Sequence, residues 1–458
     1  MNLLRRKSGG ARSRVFVLGL DGVPYSYLRA ETAAGRLPNL AALFDEGNLV
    51  PMRSSLPTVS STAWTSFFTG QDAGGHGVFG FMDCRAESHE FYFPNLTHVT
   101  APALWDILEK SGKRSIVLNV PGTYPARQLN GVLVSGFVAP SIERAVYPPE
   151  LLPSLQAMGY RIDLDAWASR GSFEALDRDL FETFDSRKRA IRKLLREEDW
   201  DLFVGVVTET DRLYHFHWNA MEAGDRRVTD LFHRFHAAID EFVGWLVEEL
   251  PEGAELIIMS DHGFTTERLN VNTNAWLRER GYLAFDDAKP KDLSHISSRS
   301  TVYSLAPGRF YINRAGIRPR GTVLPKQVNS VLERLVSDLQ GFTGPQTDEL
   351  VYNELILRDD AYHGPQATRG PDATLTFRPG YELKASAGGT DVFGPPAEGL
   401  AGMHTYEDSH LYVRGAELRL GPYELHDVAP TIAALLGVDA SGFFGTPVLA
   451  QSALQATR

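Results

Sequence analysis

Short, unbroken apolar runs recur along the chain: VFVLGL at 15–20, SIVLNV at 115–120, VLVS at 132–135, LFVGVV at 202–207 and LIIMS at 256–260. Between them, apolar residues return every three or four positions, as amphipathic helices require. These stretches are Leu37–Phe44, Ala63–Thr69, Trp105–Lys110, Phe173–Leu195 and Thr229–Leu250. The last carries Leu231, Phe232, Phe235, Ala238, Ile239, Phe242, Val243, Leu246 and Val247, a broad stripe. Strands apolar on both faces and alternating with helices predict an α/β fold, a predominantly parallel sheet sandwiched by helices.

From about residue 285 the texture changes. Pro290, Pro307, Pro325, Pro345, Pro365, Pro371 and Pro379 interrupt it, and Tyr303, Phe310–Ile312, Leu375 and Phe377 suggest short strands. We therefore expect a core from 14–285 and 401–450, with 286–400 inserted as a cap. The core pattern resumes at His410–Arg414 and in a helix near Val428–Leu436.

The 458 residues carry 46 Lys plus Arg against 57 Asp plus Glu, a formal charge of −11. That balance argues against a general nucleic-acid or anionic-membrane binder, while a bound divalent ion could still attract phosphate locally. The single cysteine, Cys84, excludes an intrachain disulfide and a cysteine-based zinc cluster, so a metal site must use His and carboxylates. Arg5-Arg6 near the start is not followed by the apolar stretch a signal needs, because Val15–Leu20 runs straight into Asp21. No apolar run approaches the ~18–20 residues that cross a bilayer. The expected address is cytoplasmic, without a membrane partner.

In open α/β sheets the working residues sit past the carboxyl ends of the strands. Asp21, Glu209–Asp211 and Asp261-His262 all follow strand-like runs. Taken singly, each has a structural explanation. Asp21-Gly22 is a common turn pair, and Asp211 and His215 could share one solvated helix face. His404 in GLAGMHTYEDSH could be a surface histidine, and the hydroxyls of Ser60, Ser61 and Thr62 could cap a helix. Structural roles are the better reading for His217, His410 and His426. Asp261-His262-Gly263 better suits metal ligation, an acid and an imidazole followed by a residue that permits a sharp exit. Together, the acids, the histidines and a hydroxyl-rich helix start fit one dinuclear site with open positions for substrate.

The order LDG, PTVSSTAWTSFFTG with GGHGVFGF, TDRLYH, SDHGF and GMH resembles the alkaline phosphatase superfamily, in its type I phosphodiesterase/nucleotide pyrophosphatase branch. The resemblance implies that Asp21, Asp261 and His262 hold one metal together with Ser60, the nucleophile, and that Asp211, His215 and His404 hold another. Ser61 is the competing nucleophile. Zinc suits this ligand set, with manganese as the alternative. The implied activity is hydrolysis of a small phosphate ester, a phosphodiester first, through a phosphoserine. Monoester or phosphonate hydrolysis, phosphomutase chemistry and a non-catalytic metal-binding role are the alternatives. SSTAW at 60–64 lacks the Cys/Ser-x-Pro-x-Arg motif of sulfatases. The resemblance also places a substrate-binding Asn three residues past the nucleophile, where this chain has Ala63, which weakens the case for a nucleotide.

Overall fold

A computed structural model describes residues 12–452 except Ala86 and Pro319; the Arg5-Arg6 pair lies outside them. The main sheet has eight strands in the order Asn48–Met52, Ser409–Val413, Glu255–Met259, Val15–Leu20, Leu202–Val207, Ser115–Leu118, Gly131–Val134 and Val146–Tyr147. The five strands from Glu255–Met259 to Gly131–Val134 are parallel, and antiparallel strands close both edges.

Alternation along the strands explains why they read as continuous apolar runs. Phe16, Leu18 and Leu20 enter a core shared with helices Tyr25–Ala33, Pro38–Glu46, Phe173–Glu197, Glu209–Glu222 and Arg226–Glu249. Val15 and Val17 enter the opposite core, under helices Ser60–Thr69, Leu104–Lys110 and Val428–Leu435. Each large side chain buried in these layers contributes roughly 1.5–3 kcal/mol. Asp225 starts helix Arg226–Glu249 by accepting from the Val228 N–H at 3.0 Å.

Register sets up the site. Leu20 pairs with Val207, and Gly19 with Met259, so the three central strands end level. Asp21, Thr208 and Ser260 follow them in adjacent loops.

The chain then leaves the main sheet. Strand Gly263–Asn272 begins immediately after His262 and runs antiparallel to Gly402–Thr405 and Phe393–Gly394 and parallel to Gly380–Lys384. A separate antiparallel sheet has the order Val302–Leu305, Arg309–Ile312, Ala373–Phe377, Tyr352–Leu357. These two small sheets pack with helices Thr273–Glu279 and Val328–Leu339 around a third core that includes Trp276, Phe310, Leu335 and Phe342. Cys84 and Met403 also join it, so the accessory layer is knitted to the rest. Among the described residues no helix is long and apolar enough to cross a membrane.

Candidate active site

Three strand ends deliver the first cluster. Asp21 is fixed by its N–H on the Val207 carbonyl at 3.0 Å. Trp64 Nε1 donates to Asp21 Oδ2 at 3.0 Å, and the Gly22 N–H donates to Asp261 Oδ1 at 3.1 Å. Gly22 has φ +73°, which a side chain would resist. These bonds leave Asp21 Oδ1 and Asp261 Oδ2 buried with no partner. His262 Nε2 lies 3.7 Å from the first and 3.3 Å from the second, and Ser60 Oγ lies 3.1 Å from the same nitrogen.

The second cluster rides on helix Glu209–Glu222, where Asp211 and His215 occupy one face. His404 approaches from strand Gly402–Thr405. His404 Nε2 is 3.0 Å from His215 Nε2 and 3.5 Å from Asp211 Oδ1, while His215 Nε2 is 3.4 Å from that oxygen. Asp211 Oδ1 has no hydrogen-bond partner. His215 Nδ1 faces the Gly402 carbonyl at 3.0 Å and His262 Nδ1 the Gly263 carbonyl at 3.1 Å. An N–H on Nδ1 there turns each Nε2 lone pair inward. The two clusters abut, because the His262 and His404 rings stack at 3.6 Å. Phe264 packs against His215 and His404 with centroids at 4.8 and 5.2 Å.

The donor atoms of each trio lie within 4.8 Å of one another. Their electrostatics suit a cation. Burial, with Asp261 and Asp211 nearby, raises Asp21 well above the usual carboxylate range. Burial pushes Asp261 up to about 7, against the opposing pull of His404. It lowers His262 well below its ordinary value and His215 to about 4. Burial also opposes ionisation of Asp211, but His215 and His404 outweigh it and hold that carboxyl below its usual range. Orphaned carboxylate oxygens facing imidazole nitrogens form a donor set suited to divalent ions.

Ser60 begins helix Ser60–Thr69, whose cap position is Val59 with no side-chain cap, so the capping role is not taken by these hydroxyls. Ser60 lines the cavity over the second cluster; Ser61 does not, and its Oγ has no partner. Ala63 is buried in the core beside Trp64, Phe67 and Phe68 and lines no part of the cavity. His217 packs against Phe173, His410 is buried with Nδ1 on the Val23 carbonyl, and His426 lies beside Phe444. None of the three joins a cluster.

The cavity, about 350 Å³, opens over Ser60, Asp211, His215 and His404. Its walls include residues that the sequence patterns did not single out. Phe81 and Phe137 stack at 5.9 Å. Arg212 is held by Asp163 at 2.6 Å with its guanidinium 4.3 Å from the Phe137 ring centre. Lys384, from the accessory layer, is paired with Glu382 at 2.9 Å. Arg212 could have been noticed inside TDRLYH; Lys384 has no local signal.

Parallel strands ending level beneath clustered carboxylates and imidazoles are the arrangement of an alkaline phosphatase-like α/β fold. Residues 15–407 match the profile described as type I phosphodiesterase/nucleotide pyrophosphatase, and the chain belongs to that family of phosphoryl-transfer hydrolases within the alkaline phosphatase superfamily. Comparison with curated proteins gives no match. Among solved structures, phosphonoacetate hydrolase from Sinorhizobium meliloti 1021 in complex with phosphonoformate superposes with a TM-score of 0.62 at 16% identity, covering 93% of this chain and 96% of that one. Murine ectonucleotide pyrophosphatase/phosphodiesterase 5, in an inactive form with AMP, gives 0.55 at 14% identity over 97% and 99%. Its human counterpart gives 0.53 at 15% over 94% and 97%. At these identities the likeness shows the fold.

Proposed function

We propose that this chain is a metal-dependent hydrolase of small phosphate esters, phosphodiesters first, with Ser60 as nucleophile. The observation that carries the reading is the 3.1 Å approach of Ser60 Oγ to His262 Nε2, beside three orphaned carboxylate oxygens, two sealed beneath an open cavity and one, on Asp211, in its lining. Asp21, Asp261 and His262 would hold one divalent ion and Asp211, His215 and His404 a second, zinc suiting the donors best with manganese as the alternative. When bound, the pair supplies Lewis acidity, which favours the Ser60 alkoxide and offsets charge on the phosphoryl oxygens.

Ser60 Oγ attacks phosphorus as the ester P–O bond opposite it breaks, and the leaving oxygen takes a proton. Water then cleaves the resulting serine phosphate and restores the hydroxyl. Helix Ser60–Thr69 presents its amino end to the same region, so its free N–H groups favour the anionic phosphoryl group. Phe81 and Phe137 give the leaving group an apolar shelf and limit water around it.

The test is hydrolysis of bis-p-nitrophenyl phosphate, p-nitrophenyl phosphate and a phosphonate monoester, each with zinc, manganese or chelator. We expect metal-dependent turnover, greatest on the diester. Ser60→Ala should keep its bound metal and lose at least ~10³-fold in kcat. Near-wild-type turnover by Ser60→Ala would move the nucleophile to Ser61 or remove it. Absence of metal-dependent hydrolysis on all three substrates would leave a metal-binding relative without turnover.

A further inference from the structure

The loop that supplies Phe81 and Met82 to the cavity over Ser60 has a second face. The residues that follow line another cavity, of about 420 Å³, closed on its far side by the accessory layer. Arg85, Arg318 and Arg369 converge there from three separate segments, together with Tyr92 and His98.

These guanidinium groups have largely unspent donors. Arg318 Nη1 reaches only the Cys84 carbonyl, at 3.4 Å, and Arg369 reaches Tyr92 Oη at 3.3 Å and Gln366 Oε1 at 3.1 Å. Arg85 lies 5.0 Å from the Tyr92 ring centre, and its nearest acid is exposed Glu90 at 3.7 Å. Among the described residues no ion pair within 4.0 Å joins Arg318 or Arg369 to a carboxylate. Two acids, Asp83 and Glu87, also line the cavity, but Asp83 already faces buried Arg309 at 3.7 Å. The local charge is positive in a chain of net charge −11. Burial, with Arg318 and Arg320 behind it, pushes His89 down to about 4, in keeping with that field.

Arg318 is the half-buried one of the three, resting over the Tyr303 and Tyr311 rings with no carboxylate partner, while Arg85 and Arg369 stand exposed at the rim. A half-buried guanidinium without a counter-ion is costly, and planar N–H forks match phosphate oxygens well. We propose that this cavity is a second anion site, distinct from the catalytic one, which binds a small phosphate-bearing molecule. Arg318 and Arg369 grip the phosphate, and Arg85 closes over it. Tyr92, stacked on His98 at 4.8 Å, stands where an attached ring would rest.

The experiment is titration calorimetry on the zinc-loaded Ser60→Ala protein, with orthophosphate and with AMP. Two binding events are expected. Arg369→Met, at an exposed position, should weaken one of them at least tenfold, and Arg318→Met with Arg369→Met should abolish it while the other persists. In an otherwise wild-type chain the same substitutions should leave hydrolysis intact, which also reports correct folding. AMP binding more than tenfold tighter than orthophosphate assigns the ring to the Tyr92 side; equal affinities assign the site to phosphate alone. A single event, or isotherms unchanged by the arginine substitutions, overturns the proposal. The readout is binding, so failure of the hydrolase reading would show separately as absent turnover.

Discussion

Asp21, Asp261 and His262 are sealed at the floor of the site, with side chains 3%, 0% and 0% exposed. Asp211, His215 and His404 use the same side-chain types but line the cavity, and His215 is 27% exposed. Enclosure changes their chemistry. In the outer trio Asp211 is balanced by two imidazoles, and His404 is raised because Asp211 outweighs the effect of burial. In the inner trio two carboxylates face a neutral His262, so burying them without a cation is unfavourable. On the proposed reading, the floor cluster, which without an ion sheds its charge only by taking up protons, gains more from a cation than the outer cluster, where imidazoles already offset Asp211.

The largest effects test whether both clusters serve one reaction. Asp261→Asn and Asp211→Asn should each lower kcat/KM by ~10³-fold, because the charge stabilisation of one reaction is shared between them. Graded chelation followed by metal analysis should empty the outer trio first. Loss of the floor ion first would reverse the comparison.

A second contrast concerns stability without metal. Asp261, raised to about 7 in the fold, binds a proton that the unfolded chain releases nearer its ordinary value. The folded state therefore holds more protons between about pH 4 and 7, and its stability falls as pH rises through that window. Chelated Asp261→Asn should melt at a higher temperature than chelated wild type at pH 8, a gain on the order of 4 kcal/mol. That advantage should vanish near pH 4. A gap independent of pH would show that Asp261 stays ionised in the fold.

A smaller effect isolates one supporting contact. Trp64→Phe removes the N–H donated to Asp21 Oδ2 and should weaken metal binding at the floor by ~10–100-fold, leaving the outer trio unchanged. Equal weakening at both sites would mean that the helix moved instead. Smallest of all, Ser60→Thr keeps a hydroxyl in place and should retain kcat within about tenfold.

The sandwich was legible because strands buried on both faces and helices with one apolar stripe leave unmistakable periods, as in Val15–Leu20 and Arg226–Glu249. Asp21, Asp261 and His262 were legible for a related reason, since strand ends mark where a parallel sheet places its working residues. Strand Gly263–Asn272 was not. Its alternating TTERLN faces the accessory layer rather than the main sheet, and its partners at 380–384 and 402–405 lie over a hundred residues away. The cavity walls stayed hidden for the same reason. Phe81, Phe137 and Lys384 meet only through tertiary packing, and no spacing along the chain encodes that meeting. Ser60 could be preferred to Ser61 only by motif alignment; the fold adds that Ser60 is the one that faces the cavity.

Strand Gly263–Asn272 has a mechanical consequence. Its first residue adjoins His262, and its opening half is zipped to the strand that carries His404, with Phe264 opposite His404. A Cβ on Gly263 would sit 2.4 Å from Thr405 Oγ1, so the seam has no slack. The upper layer cannot swing like a jaw without dragging two imidazoles out of place. Phe81, 37% exposed at the rim of the cavity, is placed so that rotation of its side chain alone would widen the mouth and leave that seam undisturbed.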